Sequence, residues 1–172
     1  MPNHVVNEII FRNVNADRQA AIIALCCNAE GKVDFDILVP TPRNIWMFSH
    51  GSKHEKLGGN ALDWSRENWG TKWNAYSHKP TEQSDDTLTL RFESAWSPPY
   101  GWLMALFNTI KRDFDHNFMD EGASRGVSGQ WRYPPDDASM IFEPWTERPC
   151  DDAMQKHLNV LHWGVENLDD LG

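Results

Sequence analysis

The residue types that most often do chemistry are all present, but their spacing keeps them apart. His50 and His54 stand four apart, the interval that puts two metal ligands on one helix face. Gly51 and Ser52 between them favour a loop, and no third ligand follows at a diagnostic distance. His157 and His162 are five apart and would point in different directions on a helix. The pairs Asp85-Asp86, Asp136-Asp137, Asp151-Asp152 and Asp169-Asp170 read as turns, helix starts and a solvated tail. A hydrolytic carboxylate pair needs a shared cleft, which chain neighbours on a surface do not form. Ser49-His50-Gly51-Ser52 lacks the strand–turn–helix context of a nucleophile elbow, and no phosphate loop is present. Cys26 and Cys27 are adjacent and Cys150 is distant, which suggests reduced, partly buried thiols rather than a disulfide framework or a tetrahedral metal site. The sequence therefore predicts no catalytic group, no metal and no cofactor.

Charge is unevenly distributed. The net charge is −9, yet residues 1–112 carry twelve acidic and twelve basic side chains, whereas residues 113–172 carry thirteen and four. Nothing resembles the basic stripe that neutralises phosphates, so tight nucleic-acid binding is not expected. An acidic end serves solubility, a basic partner, or imitation of a nucleic-acid surface. With 172 residues the chain can bury a sizeable core; it has no bilayer-spanning apolar run, and no secretory leader is expected. The expected location is the cytoplasm of a host cell, with no membrane partner.

The elements that must position any site follow from periodicity. His4 to Phe11 has the β-branched and aromatic character of a first strand. Asn13 or Asn15 can cap a helix over residues 16–28, with Ala21, Ile22, Leu25 and Cys26 on its apolar stripe. Alternation at Phe35, Ile37 and Val39 predicts a second strand, followed by an irregular insert over residues 41–60. A short helix over 62–68, a strand carrying Trp73 and Ala75, and a strand over 87–92 come next, the last two paired as a hairpin. Ser97-Pro98-Pro99 reads as a helix start with Ser97 as cap. Leu103, Leu106, Phe107, Ile110 and Phe114 form the apolar face behind it. Strands over 116–121 and 127–133 complete the order. It predicts an α+β fold, a ferredoxin-like sandwich of an antiparallel sheet with two helices on one face. An acidic extension over 134–172 adds one more helix. Met154, Leu158, Leu161, Val165 and Leu168 give that helix a two-heptad apolar seam from Asp151 to Leu171, packed on its own subunit, on a second copy as a homodimer, or in a partner groove.

Trp69, Gly70, Trp73, Trp96, Pro98 and Pro99 are read as a packing and turn device. Indoles bury large areas and their N–H groups then need partners, so truncating Trp69 or Trp96 is expected to cost core stability. The other reading is a stacking platform for a base, a ligand or a peptide. Ile45-Trp46-Met47-Phe48 either plugs the sheet or stays exposed, in which case Trp46 and Phe48 are partner contacts. The motifs Asn68-Trp69-Gly70-Thr71-Lys72-Trp73 and Phe92-Glu93-Ser94-Ala95-Trp96-Ser97-Pro98-Pro99 resemble the Api92-like or YubB-like family. So do the Asn-His-Val-Val-Asn start, the stretch from Asp34 to Pro42, and Glu121-Gly122 with Gly126-Val127 and Gly129. The likeness covers residues 3–133. It implies a ferredoxin-like domain protein of phages, plasmids and genomic islands, and no established activity comes with it.

The function expected is that of a non-enzymatic accessory protein of a mobile element. It would bind a host or defence protein, basic in character, through its acidic end, including Asp151, Asp152, Asp169 and Asp170. The alternatives are an enzyme that binds a small ligand or nucleotide between the 41–60 insert and the tryptophans, and a structural or oligomerising protein.

Overall fold

A computed structural model describes residues 3–46, 60–134 and 145–170. The first strand, β1 (His4–Arg12), lies at the centre of a six-stranded sheet of order β2-β3-β1-β4-β5-β6, every neighbouring pair antiparallel. The other strands are β2 (Glu82–Gln83), β3 (Thr87–Ala95), β4 (Phe114–Asp120), β5 (Val127–Trp131) and β6 (Trp145–Pro149). Helix α1 (Ala16–Cys26) leaves β1, and its N-cap is Asn15, whose side chain accepts from the Arg18 N–H. Helix α5 (Tyr100–Ile110) connects β3 to β4. With β1 between β3 and β4, the path β1-α1-β2-β3-α5-β4 is the interleaved βαβ arrangement of a ferredoxin-like domain, extended beyond β4 by two further strands.

Successive side chains of a strand face opposite sides, so β1 serves two cores. Ile9 and Phe11 join Leu88, Leu90 and Phe92 of β3 beneath Ile22 and Cys26 of α1 and Leu103, Leu106 and Phe107 of α5. Val6 instead meets Met119, Cys150 and Leu158 on the other side. There the last helix, α6 (Asp152–Trp163), covers the sheet. Residues beyond 133 thus contribute β6 and α6 to the same sheet.

Several local expectations are corrected. Phe35–Val39 is not a strand. Asp34 accepts from the Asp36 N–H and starts the one-turn helix α2 (Phe35–Leu38), whose Phe35 is buried against Trp102 and Phe92. The excursion expected after a second strand therefore lies between α1 and β2. It contains α3 (Arg43–Trp46) and α4 (Ala61–Asn68), the latter capped by Asn60. The stretch holding Trp73 and Ala75 makes only one bridge to the sheet, between Tyr76 and Glu93, and the hairpin partner of β3 is β2. Phe114 belongs to β4, because Lys111 ends α5 in a left-handed conformation. Helix α6 stops at Gly164, whose φ of 78° makes it a C-cap and not an interior glycine, so Val165 and Leu168 lie outside the helix. Met154 and Leu161 pack against the Val6 core, and Leu158 is fully buried there. The apolar face of α6 is thereby used within the chain.

Candidate functional site

Trp69 and Gly70 tie the end of α4 to the start of α5, which follows the buried Pro98 and Pro99. The Trp69 indole is buried, donates from Nε1 to the Val39 carbonyl at 2.9 Å, and packs edge-on against Phe35 and Trp64. Gly70 has a φ of 83°, and a Cβ there would stand 3.0 Å from the backbone nitrogens of both Tyr100 and Gly101. A Cβ on Gly101 would stand 2.4 Å from the Asn68 carbonyl oxygen. The two glycines let the backbones touch, and the Trp102 N–H donates to the Trp69 carbonyl across the contact. Gly70→Ala is expected to cost about 2–4 kcal/mol, combining left-handed strain with overpacking. Chemical denaturation would check this, and a parent-like midpoint would show that the contact can open without penalty. Ser97 does not cap α5; its hydroxyl donates to the Gly70 carbonyl, and the residue before the helix is Pro99, which has no side chain able to cap.

The other two tryptophans are surface groups. Trp73 is 40% exposed and Trp96 43%, against 3% for Trp69, so the expected core role holds for Trp69 alone. The Lys72 ammonium lies between the two exposed indoles, 4.6 Å from the Trp73 ring centre and 4.3 Å from that of Trp96. The Arg66 guanidinium also lies over the Trp96 ring, 5.9 Å from its centre. Trp96 has a φ of 72°, rare for a bulky residue, and is held there by its N–H donating to the Asn3 carbonyl at 2.9 Å. Bonds from the Thr71 hydroxyl and the Lys72 N–H to the Ala95 carbonyl align the segment with the end of β3, bringing the two indoles together. Two grooves flank this face: one of about 630 Å³ that includes Arg66, Lys72 and Trp96, and one of about 370 Å³ that includes Thr41, Leu62, Trp69 and Trp73.

A second constellation lies beneath α6. Glu8 is 1% exposed and faces α6 from the central strand. Its Oε1 accepts from Arg91 Nε and faces His157 Nε2, each at 2.8 Å, and its Oε2 accepts from Asn117 at 3.3 Å. Arg91 also pairs with Glu82. Burial pushes the Glu8 carboxyl up, but the bonds and charges of His157 and Arg91 outweigh it and pull the group down to about 2. The bond to Glu8 raises His157 against the opposing effect of its own partial burial. The sign for each partner follows. The Glu8 contribution is present above its ordinary value of 4.5 and is lost as pH falls toward about 2. The His157 contribution is complete below its ordinary value of 6.5 and is lost as pH rises through the raised value. The stability difference between the parent and His157→Gln is therefore expected to be largest between those two ordinary values and to shrink at higher pH. Melting both proteins across a pH series tests this, and a difference that grows above neutrality would refute it.

Sequence spacing did not bring Glu8, Arg91 and His157 together. A third polar group, also unforeseen, lies on the opposite face. Asn7 donates from Nδ2 to Ser94 Oγ and the Val5 carbonyl, so its Oδ1 accepts from His116 Nε2 at 3.0 Å. His116 Nδ1 is buried without a partner among the described residues, and burial lowers the imidazole to about 3, which keeps it neutral. The three cysteines are buried and unpaired, and burial pushes their thiols up.

Most acidic residues singled out at the C-terminal end serve the fold. Asp151 caps α6 by accepting from the Met154 N–H at 2.8 Å, Asp152 pairs with Arg125, and Asp170 accepts from Asn167. Asp169 is exposed on the short helical turn Leu168–Asp170. Trp46 ends α3, and Phe48, His50, His54 and Asp136-Asp137 lie outside the described residues. Among the described residues, no three His, Cys, Asp or Glu side chains converge as metal ligands, and no helix is long and apolar enough to cross a membrane.

Residues 69–155 match the model of a family described as the ferredoxin-like domain in Api92-like protein. The match begins at the buried tryptophan and continues through β6 into α6. It thus leaves out residues 3–68, which the likeness was expected to include, and it covers part of the extension that the likeness was expected to omit. Comparison with curated proteins gives no match, and neither does comparison with solved structures. With half of its length so matched, the chain belongs to the Api92-like family through its ferredoxin-like domain.

Proposed function

We propose that the protein is a non-enzymatic accessory factor of a mobile genetic element, acting in the host cytoplasm by binding a host or defence protein. The contact face in this reading is formed by Trp73, Lys72 and Trp96. What carries it is one observation: two exposed indoles bracket a cation, and one of them is held at a positive φ. Strained backbone persists where the surroundings over-determine it, and such positions cluster at working surfaces. Exposed tryptophans supply the anchors from which interfaces draw most of their energy. Lys72 and Arg66 beside them suit a partner that offers an acidic side chain next to an apolar one. The acidic end is the weaker candidate, because several of its carboxylates already cap or pair within the chain.

The test is retention of host proteins by the parent, by a Trp73→Ala/Trp96→Ala variant and by an Asp169→Asn/Asp170→Asn variant, each at two salt concentrations. A protein retained by the parent and by the acidic-end variant, but lost from the tryptophan variant, supports the proposal. Retention unaffected by the tryptophan changes and abolished by the acidic-end change would transfer the contact to the C-terminal end.

A second reading is a small-ligand site in the groove of about 370 Å³, where Leu62, Trp69 and Trp73 supply apolar walls and Asn74 a polar group. A thermal-shift screen of small apolar ligands, with Trp73→Ala as control, separates it from protein binding.

A further inference from the structure

Away from the tryptophans, one end of the sheet gathers positive charge on a protein that is otherwise acidic. A groove of about 480 Å³ opens where β1 ends, α5 stops and β4 begins, and its walls carry Arg12, Lys111, Arg112 and Arg132 against Asp113 and Asp115. The two carboxylates are already engaged. Asp115 pairs with Arg12 at 3.1 Å and with Arg132 at 3.3 Å, and Asp113 accepts from the Tyr133 N–H at 2.7 Å and lies 3.8 Å from Arg132. Arg112 is fixed by donating to the Arg12 and Asn13 carbonyls. The Lys111 ammonium has no hydrogen-bond or ion-pair partner among the described residues.

The backbone at this groove is unusual on two sides. Asn13 has a φ of 55° and Lys111 a φ of 50°, so two of the four non-glycine residues with positive φ among the described residues line the same cavity. Lys111 occupies the C-cap of α5, where glycine takes the left-handed conformation without strain. A lysine there does offset the partial negative charge at the helix end, about half a unit. Four whole positive charges against two carboxylates exceed that requirement. The exposed ring of Tyr133 forms one wall, giving a flat apolar surface beside the cations.

We propose that this groove is a binding site for the oxyanion of a small organic molecule, a phosphate or a carboxylate, with Lys111, Arg112 and Arg132 as its cationic contacts. Lys111 supplies a cation with no partner among the described residues, Arg112 and Arg132 are held by their own partners, and Tyr133 covers the organic part of the ligand. The proposal concerns a different face from the tryptophan surface and stands or falls independently of it.

Inorganic phosphate and citrate, each titrated at ionic strength matched with sodium chloride, are the probes, read by calorimetry and by melting temperature. Saturable binding of either is expected, phosphate alone marking a phosphoryl group and citrate alone a carboxylate. Lys111→Gly is the deciding variant, because glycine suits the backbone there and the fold should be as stable as the parent or more so. Affinity should nevertheless fall about tenfold, the value of one charge-assisted contact. Lys111→Gln, which keeps the backbone strain, should lose affinity to the same degree. Absence of saturable binding to the parent, or equal binding by the parent and both variants, would overturn the proposal.

Discussion

Glu8→Ala is expected to destabilise the protein by about 3–5 kcal/mol, the range for removing one partner of a buried ion pair. The change would leave the Arg91 guanidinium largely buried with the exposed Glu82 as its remaining counter-ion among the described residues, and His157 would lose the acceptor that ties α6 to the central strand. Desolvation makes the orphaned charge costly, so the penalty exceeds the net value of the original pair. Replacing both partners with leucine, Glu8→Leu/Arg91→Leu, should recover much of the loss by removing both charges from the interior. Urea denaturation at neutral pH reads both variants. A loss below about 1 kcal/mol for Glu8→Ala would mean that water already reaches the site and screens it.

Trp69→Ala should cost a similar amount, about 3–5 kcal/mol, because it opens a cavity beside Phe35 and Trp64 and strands the Val39 carbonyl. Trp96→Ala should change stability by less than about 1 kcal/mol, since the indole is a surface group. Trp96→Gly should be neutral or stabilising, because glycine accepts the positive φ that tryptophan endures. Equal losses on truncating Trp69 and Trp96 would return Trp96 to the core role that its sequence motif suggested. It would also remove the main support for the proposed contact face.

The difference between these tryptophans marks where the sequence ceases to be legible. Strands such as β1 and β3, and helices such as α1 and α5, announce themselves because their apolar residues recur with the period of the element. The segment Asp34–Val39 alternates as a strand would, yet the Asp34 side chain captures the Asp36 N–H and Phe35 finds an aromatic pocket, so a single helical turn forms instead. The available signal was aspartate at an N-cap. The exposure of Trp96 depends on its φ, which depends in turn on a bond to Asn3, far off in sequence. Glu8, Arg91 and His157 are beyond sequence reasoning for a similar reason. Glu8 faces Arg91 only through the strand register, and His157 arrives 149 residues later on a helix packed across the sheet. The acidic pairs read as helix starts, and Asp151 does cap α6, but the ion pair of Asp152 was not legible, since it depends on Arg125 being brought alongside.

The central position of β1 has a consequence for how the protein is made. The strand is synthesised before its hydrogen-bonding partners β3 and β4, whose residues pair with it across intervals such as His4 to Ala95 and Val5 to Asp120. At about 5–20 residues per second, its second edge waits roughly five seconds or longer for a complement. Until β3 is made, a run of valine, isoleucine and phenylalanine is a nascent strand with two open edges, and until β4 is made it keeps one, which is the hazard that sheet proteins otherwise confine to their margins. Glu8 and Arg12 interrupt that run with charge. Glu8 thus places a charge within that run while it is still unpaired, and becomes the buried anion of the fold in two stages, when Arg91 arrives with β3 and when His157 arrives with α6.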